Sequence, residues 1–133
     1  MAFVADNTVI IGWFIPSQAN ALTHKALRMS RRERVHVPAL WQSEFSNVLV
    51  GLERRGLIAG HQVDAIVARA ERFGLEIHEP FASISPLIGL MRARGIKAYD
   101  ASYLHLAAFL DAPLYTRDKS LRAAARSAGV TAP

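Results

Sequence analysis

Residues 98–118, AYDASYLHLAAFLDAPLYTRD, contain a predicted helix followed by a predicted strand, the two kinds of element from which this chain is expected to build its fold. The first part, residues 98–110, is almost wholly apolar, which predicts a buried helix. Residues 113–116 form a short run that is typical of a buried strand, and Asp118 follows just beyond its end. A helix that leads at once into a buried strand is the repeating unit of a parallel β-sheet covered by helices.

The same alternation of strand and helix patterns extends toward both ends of the chain. Further strands are predicted at residues 3–5, 34–37, 75–78 and 130–131. Further helices are predicted at residues 18–31, 40–55, 61–73, 83–94 and 119–128. Because no linker or repeat interrupts the pattern, we expect residues 1–133 to form a single α/β domain. It should have three layers, with a short, mostly parallel five-stranded sheet covered by helices.

The composition is that of a globular protein, since 51% of the 133 residues are hydrophobic and 20% are charged. The absence of cysteine excludes disulfides, thiolate zinc sites and a cysteine nucleophile. The first ten residues, MAFVADNTVI, lack the basic start of a signal peptide. The longest uncharged run, residues 7–23, is broken by glycine, proline and polar residues, so it is not expected to span a membrane. We therefore expect a cytoplasmic protein.

The charged residues are predominantly basic. The formal net charge is +5, and 13 of the 16 basic residues are arginine. Because the arginine side chain presents a planar fork that suits phosphate, nucleic acid is a candidate partner. The alternative is that an arginine- and alanine-rich composition reflects only a GC-rich genome.

Four acidic residues are predicted to lie near one edge of the sheet. Asp6 and Asp118 follow two of the predicted strands, and in open α/β sheets ligands bind at the carboxyl ends of the strands. Asp100 lies at the start of the apolar helix. Glu44 borders the apolar stripe of the helix at residues 40–55, so it is expected to face the sheet edge rather than open solvent.

Each of these acids also has a purely structural explanation. Asp6, Asp100 and Asp118 are placed to cap helix N-termini, and Glu44 is placed as a first-turn acid that a helix dipole favours. Four neighbouring carboxylates would nevertheless repel one another unless a cation lay among them. The other seven acids are scattered near basic residues, which is typical of solvated surface: Glu33, Glu53, Asp64, Glu71, Glu76, Glu79 and Asp111.

A carboxylate cluster without cysteine suits a hard divalent cation, Mg²⁺ or Mn²⁺. Such an ion activates water and orients a phosphodiester, so an acidic centre on a basic protein is consistent with cleavage of nucleic acid. A histidine metal site is not expected, because no two of the five histidines have the i, i+4 spacing. They are interpreted as packing or surface residues. The sequence contains no GxGxxG, Walker or GxSxG motif.

Four segments carry a family resemblance: VADNT at residues 4–8, WQSEFSNVL at residues 41–49, YDASYLHLA at residues 99–107 and LYTRD at residues 114–118. In this order they resemble a PIN domain, and specifically the VapC-type ribonuclease toxins, over essentially the whole chain. The resemblance implies a parallel sheet of strand order 3-2-1-4-5 and a metal-dependent endoribonuclease, the toxin of a type II toxin–antitoxin system. It also implies an RNA substrate, an antitoxin that covers the site, and a homodimer.

The resemblance also assigns roles to individual residues. Four acids match the acidic positions of the family one for one, which implies that they are catalytic and hold Mg²⁺ or Mn²⁺: Asp6, Glu44, Asp100 and Asp118. Thr8 and Thr116 match hydroxyl-bearing positions that support the metal site. Arg117 and Lys119 flank Asp118 and are candidates for contacts with RNA phosphates, with surface solvation as the alternative.

Other functions are compared through the residues beside the acids. A response-regulator receiver needs adjacent acids after its first strand, but Asn7 follows Asp6. A haloacid-dehalogenase phosphatase needs an aspartate where this chain has Thr8. A PIN fold that binds RNA or protein without cleavage is the remaining alternative, and the intact acids argue against it.

Overall fold

The computed structural model describes residues 1–79 and 83–133 and has a parallel sheet at its centre. The strands are β1 (Ala2–Ala5), β2 (Arg34–Pro38), β3 (Glu76–His78) and β4 (Leu114–Tyr115), in the order β3-β2-β1-β4. The α-helices of the described residues are α1 (Asn7–Phe14), α2 (Ala21–Met29), α3 (Leu40–Arg54), α4 (Gly60–Phe73), α5 (Ile84–Arg94), α6 (Ala98–Leu110) and α7 (Lys119–Ser127). The α/β architecture with a parallel sheet flanked by helices is as predicted.

The central strand β1 positions the residues that follow it. Residues 3–5 are fully buried, and β1 pairs in parallel with β2 on one side and β4 on the other. Helix α6 packs against β1 and β2, and α3 packs against β2. Because Ala5 lies opposite Tyr115 in the register, the next residues along the two strands, Asp6 and Thr116, are brought side by side.

The predicted fifth strand is wrong, since the described residues contain four strands. Near residues 130–131 a single backbone hydrogen bond reaches the sheet, from Leu114 N–H to Thr131 O at 2.8 Å. The Val130 N–H instead donates to Ala125 O at 2.9 Å and closes the end of α7. A strand needs a series of backbone hydrogen bonds to its neighbour, and the Val130 N–H is already bonded to the end of α7.

Helices α3 and α6 confirm the predictions for residues 40–55 and 98–110, whereas α1 is a helix that the sequence pattern does not reveal. Seven of the eight residues of α1 are buried. A helix that is apolar on nearly every side has no polar face to mark its period. It begins directly after β1, and Asp6 is its N-cap.

The contact between α1 and α2 depends on Gly12. A Cβ at this position would lie 2.8 Å from Thr23 Cγ2 and 2.9 Å from the Gln18 carbonyl oxygen, which is too close for a side chain. Helix α2 is shorter than the predicted residues 18–31 because Asn20 caps it, accepting a hydrogen bond from the Thr23 N–H at 2.9 Å.

Burial of α6 is confined to one side, although the apolar sequence predicts a buried helix. Five of its residues are buried, while Tyr99 and Phe109 are 64% and 69% exposed. Across residues 1–79 and 83–133, no helix has the length and apolar character needed to cross a bilayer.

Candidate active site

Asp6 is the most buried of the four predicted site acids, with 4% of its surface exposed. Its Oδ1 accepts hydrogen bonds from Thr8 Oγ1 (2.5 Å) and the Val9 N–H (3.3 Å). Its Oδ2 accepts one from Thr116 Oγ1 (2.5 Å). Burial raises the pKa of Asp6 to about 6; the hydrogen bonds oppose the rise, and the charge of Glu44 adds to it. This carboxyl group is held firmly and gains a proton unusually easily.

Thr8 and Thr116 are themselves oriented by backbone amides. The Arg117 N–H donates to Thr8 Oγ1 at 2.8 Å, and the Asp118 N–H donates to Thr116 Oγ1 at 3.0 Å. Since each hydroxyl oxygen already accepts an amide hydrogen, its own proton is directed at Asp6. The loop between β4 and α7 is thereby tied to the start of α1.

Glu44 lies in the second turn of α3 and is half-buried. The hydroxyl of Tyr103 donates to its Oε1 at 2.6 Å. Burial raises the pKa of Glu44, the Tyr103 hydrogen bond opposes the rise, and the charge of Asp100 adds to it. As predicted, Glu44 faces the protein rather than open solvent.

Tyr103 is a site residue to which the sequence analysis assigns no role. It follows Asp100 by three positions on α6, so both side chains lie on the same face of the helix. That spacing is the signal that identifies it, because a helix face that delivers one acid to a site delivers its i+3 neighbour as well.

The two remaining predicted site acids, Asp118 and Asp100, lie at the N-terminal ends of α7 and α6. Asp118 caps α7, and its Oδ1 accepts hydrogen bonds from the N–H groups of Ser120 (2.8 Å) and Leu121 (3.1 Å). Burial raises the pKa of Asp100 and the charge of Asp118 raises it further, whereas Lys97 lowers it. The Asp118 carboxylate is therefore close enough to affect the ionisation of Asp100.

The predicted structural explanations hold for Asp6 and Asp118 but are wrong for Asp100 and Glu44. Lys97, in extended conformation, is the N-cap of α6, which places Asp100 at the third helical position rather than at the cap. Helix α3 begins four residues before Glu44, so this acid lies beyond the first turn that the dipole acts on. Capping therefore does not account for two of the four acids.

The four acids form what we call the acidic cluster: Asp6, Glu44, Asp100 and Asp118. The charge of Glu44 raises the pKa of Asp6, the charge of Asp100 raises the pKa of Glu44, and the charge of Asp118 raises the pKa of Asp100. Within the described residues, the single ion pair of the structure involves none of them. The structure thus brings all four predicted acids into one region and leaves their negative charge uncompensated by an ion pair.

The donor set of the acidic cluster fits a hard divalent cation. Every side chain in it is a carboxylate, and oxygen is the ligand that Mg²⁺ and Mn²⁺ prefer. In the part of the chain that the structure describes, no three Asp, Glu or His side chains lie close enough together to hold an ion directly. Mg²⁺ is commonly bound through one or two carboxylates and keeps several of its waters, so the cluster fits an ion held partly through water.

The two candidate RNA contacts differ in their surroundings. Arg117 is exposed, but its Nη1 donates to the Gln18 carbonyl at 2.6 Å, so part of its guanidinium holds the turn before α2. Lys119 is exposed at the first position of α7, beside Asp118.

Two histidines form a pair that their spacing does not predict. His36 Nδ1 and His78 Nε2 lie 2.7 Å apart on the neighbouring strands β2 and β3. Burial lowers the pKa of His36, and the charge of His78 lowers it further. The pair agrees with the interpretation of these residues as packing or surface histidines.

An apolar groove of about 430 Å³ lies between α3, α4 and β3. Its lining includes Trp41, Phe45, Leu49, Val67 and Ile77. The indole N–H of Trp41, a residue that is 5% exposed, has no hydrogen-bond partner within the described residues. Trp41 and Phe45 belong to the same helix as Glu44, and none of the four acids of the cluster lines the groove.

Comparison with protein families gives one match over nearly the whole chain. Residues 3–127 match the sequence model of the family described as PIN domain. Ribonuclease VapC3 of Pyrobaculum aerophilum is 25% identical over 123 residues, which cover 91% of this chain and 92% of that protein.

Solved structures share the fold. The crystal structure of PAE2754 from Pyrobaculum aerophilum aligns with a TM-score of 0.75 and 19% identity over 99% of this chain and 83% of that one. FitAcB from Neisseria gonorrhoeae aligns with a TM-score of 0.62 and 19% identity, covering 99% and 96% of the two chains. At this level of identity the structural likeness concerns the fold alone.

Proposed function

The chain belongs to the PIN domain family, and from this premise we propose that it is a metal-dependent endoribonuclease, the toxin of a toxin–antitoxin pair. The observation that carries the proposal is the acidic cluster, in which two carboxylates follow parallel strands and two project from α3 and α6. Each repels its neighbour, and among the described residues no ion pair neutralises them. The likeness to Ribonuclease VapC3 supports RNA as the substrate.

The chemistry assigned to the acidic cluster is hydrolysis of an RNA phosphodiester bond. Its four carboxylates, Asp6, Glu44, Asp100 and Asp118, would hold Mg²⁺ or Mn²⁺, which when bound lowers the pKa of water and stabilises the charge that develops on the phosphate. One carboxylate takes the proton of the attacking water. Thr8 and Thr116 keep Asp6 in place through their hydrogen bonds to its two oxygens.

Basic residues around the cluster supply the affinity for RNA. The net charge of +5 attracts phosphate, and Lys119 is exposed beside Asp118. Arg117 keeps a subordinate role, because one of its nitrogens is already bound to the Gln18 carbonyl. RNA binding should weaken as salt rises, and charge reversal at Arg117 and Lys119 should reduce the salt dependence. If RNA affinity and its salt dependence are unchanged in the charge-reversed variant, Arg117 and Lys119 are not phosphate contacts.

The proposed antitoxin contact uses the apolar groove. A peptide that binds there through apolar side chains and extends to the acidic cluster would pair an arginine fork with carboxylates that form no ion pair within the described residues. An antitoxin that binds in this way covers the acidic cluster, so the complex should be inactive; a tight complex with full activity would contradict the assignment. Because RNA and an antitoxin are the proposed partners, the cytoplasm is the proposed location.

The proposed homodimer is supported by apolar surface on α5 and α6. None of the residues of α5 is buried, Ile84 is 77% exposed, and Tyr99 and Phe109 of the neighbouring α6 are also exposed. Apolar surface of this kind on adjacent helices is typical of an interface. Light scattering should give twice the mass of one chain for the wild type and the mass of a single chain for Ile84→Glu.

Chelation tests the proposed reaction. Purified protein should cut RNA in the presence of Mg²⁺ or Mn²⁺ and lose this activity in excess EDTA. Asp6→Asn, purified in parallel, should be inactive and so exclude a contaminating nuclease. The competing function is an RNA- or protein-binding PIN fold without cleavage. RNA binding without cleavage at any metal concentration would establish it.

A further inference from the structure

One hydroxyl group, that of Tyr103, joins three elements of the candidate site. Tyr103 lies on α6, is 2% exposed, and donates to Glu44 Oε1 at 2.6 Å. The backbone N–H of Asn7, the first residue of α1, lies near enough to this hydroxyl group to act on it electrostatically. The end of α1 that Asp6 caps and the helix that carries Glu44 therefore meet at Tyr103 on α6.

The hydrogen bond to Glu44 fixes the direction of the hydroxyl proton. A carboxylate is only an acceptor, so the Tyr103 hydroxyl must be the donor and its proton points at Glu44 Oε1. A tyrosine hydroxyl is protonated at neutral pH, so the group remains a donor to Glu44 there.

Glu44 is a side chain that needs such a restraint. It is half-buried, Asp100 and Asp6 repel it, and within the described residues it forms no ion pair. A glutamate has three rotatable side-chain bonds, so repulsion alone would turn its carboxylate away from the other acids. Filling the core at position 103 would require only an aromatic ring, which Phe also provides.

We propose that Tyr103 is a positioning residue, whose hydroxyl group holds the Glu44 carboxylate in the acidic cluster ready for a divalent ion. The inference rests on the proposed function, because that function gives Glu44 its role as a ligand. Hydrogen-bonding partners behind metal ligands typically change metal affinity or activity by roughly 10- to 100-fold when they are replaced.

The test compares two variants that each lose one buried hydroxyl group. Tyr103→Phe removes the donor to Glu44, whereas Tyr115→Phe removes a hydroxyl from a ring that is 3% exposed and donates to Met29 Sδ at 2.8 Å, not to an acid. Mn²⁺ is titrated into each protein and followed by calorimetry. The dissociation constant should match the wild type in Tyr115→Phe and rise roughly tenfold in Tyr103→Phe.

A second readout separates positioning from a loss of packing. In Tyr103→Phe, the Mn²⁺ concentration that gives half-maximal RNA cleavage should rise by the same factor, while the KM for RNA stays unchanged. In a Glu44→Gln background, the further change Tyr103→Phe should leave Mn²⁺ affinity where it is, because the residue acts through Glu44. If Tyr103→Phe weakens Mn²⁺ binding equally in the wild-type and Glu44→Gln backgrounds, the proposal is wrong.

The failures of the two proposals are distinguishable. If the wild type cuts RNA with Mn²⁺ but Tyr103→Phe and Tyr115→Phe bind the ion equally well, the positioning role is wrong and the nuclease function stands. If the wild type binds no Mn²⁺ and cuts no RNA, both are wrong. Should Tyr103→Phe fail to fold, Tyr103→Met, which keeps a flexible apolar side chain, takes its place in the same cycle.

Discussion

Thr116 Oγ1 donates a 2.5 Å hydrogen bond to Asp6 Oδ2 and so joins two strand ends that lie 110 residues apart in the chain. The bond is shielded from water, since Thr116 is 1% exposed and Asp6 is 4% exposed. It exists because β1 and β4 are adjacent and parallel and end in register. A buried carboxylate is costly unless it is hydrogen-bonded, so this contact makes the ionised form of Asp6 tolerable.

Replacing the donor should therefore destabilise the fold in a pH-dependent way. Thr116→Val keeps the volume but loses the hydroxyl, and a hydrogen bond to a charged group contributes about 2 kcal/mol. We expect a loss of that size in the free energy of unfolding at pH 8, where Asp6 is ionised, and a smaller loss at pH 5, where it is protonated. Urea unfolding in EDTA measures both values.

Thr116→Ser is the control for this experiment, because it keeps the hydroxyl group and should retain most of the pH-dependent stability. Thr116→Val also removes the acceptor of the Asp118 N–H, which costs the same at both pH values. An equal loss at pH 5 and pH 8 would mean that the hydrogen bond to Asp6 contributes nothing specific to the ionised form.

Asp6 itself should make the folded state less stable as the pH rises. Its pKa is about 6 in the folded protein and 3.8 in the reference state, so between these values the folded state binds more protons than the unfolded state. Stability from this residue is complete below pH 4 and is lost as the pH rises through 6. Relative to the wild type, Asp6→Asn should gain up to about 3 kcal/mol between pH 4 and pH 7 in EDTA. A difference that does not change with pH would refute the raised pKa.

The site was more predictable from the sequence than some of the fold around it. Asp6 and Asp118 follow strands, and parallel strands end at one sheet edge, so their proximity follows from topology alone. Glu44 was placed by helical periodicity. The position of the N-cap of α6 was not predictable, because Lys97 caps the helix by backbone conformation without a side-chain hydrogen bond. Capping residues are recognised in sequences by their side chains, and this one gives no such signal.

The elements that were missed share a physical cause. Helix α1 lacks a polar face because it is surrounded by protein. The predicted fifth strand does not form because the Val130 N–H is hydrogen-bonded to α7. The spacing of Tyr103 from Asp100 predicts only that both lie on one face of α6. The contact of Tyr103 with Glu44, 59 positions away in the chain, depends on how α3 and α6 are arranged. Local patterns report on periodicity and caps, whereas these features depend on which elements become neighbours.

Two glycines should respond to alanine with opposite signs. Gly12→Ala places a Cβ 2.8 Å from Thr23 and 2.9 Å from a backbone oxygen, so it should destabilise the protein by about 1–3 kcal/mol. Gly51, within α3, has open space around the same position, so Gly51→Ala should stabilise the protein by about 1 kcal/mol through helix propensity. Thermal unfolding of both variants and of the wild type measures these two changes in stability. A loss of stability in both would indicate that α3 is more tightly packed than its geometry shows.

The last prediction separates a metal ligand from an ordinary helix acid at Asp100. This residue is not the cap of α6, so Asp100→Asn removes no capping hydrogen bond, and it relieves repulsion from Asp118 and Glu44. Without metal the variant should be as stable as the wild type or slightly more stable. With metal it should lose the stabilisation that the wild type gains, which is about 2.7 kcal/mol at 100 times the dissociation constant.

Asp111→Asn is the matched control for this prediction, because it removes the same charge from the other end of α6. Asp111 is exposed and has a left-handed backbone, φ 51°, which asparagine also tolerates. Melting curves of the wild type and both variants, each with EDTA and with Mn²⁺, should show a metal-induced rise in the wild type and in Asp111→Asn but not in Asp100→Asn. If Asp100→Asn responds to Mn²⁺ as fully as Asp111→Asn and still cuts RNA, Asp100 is not a ligand, because the loss of its charge then affects neither ion binding nor catalysis.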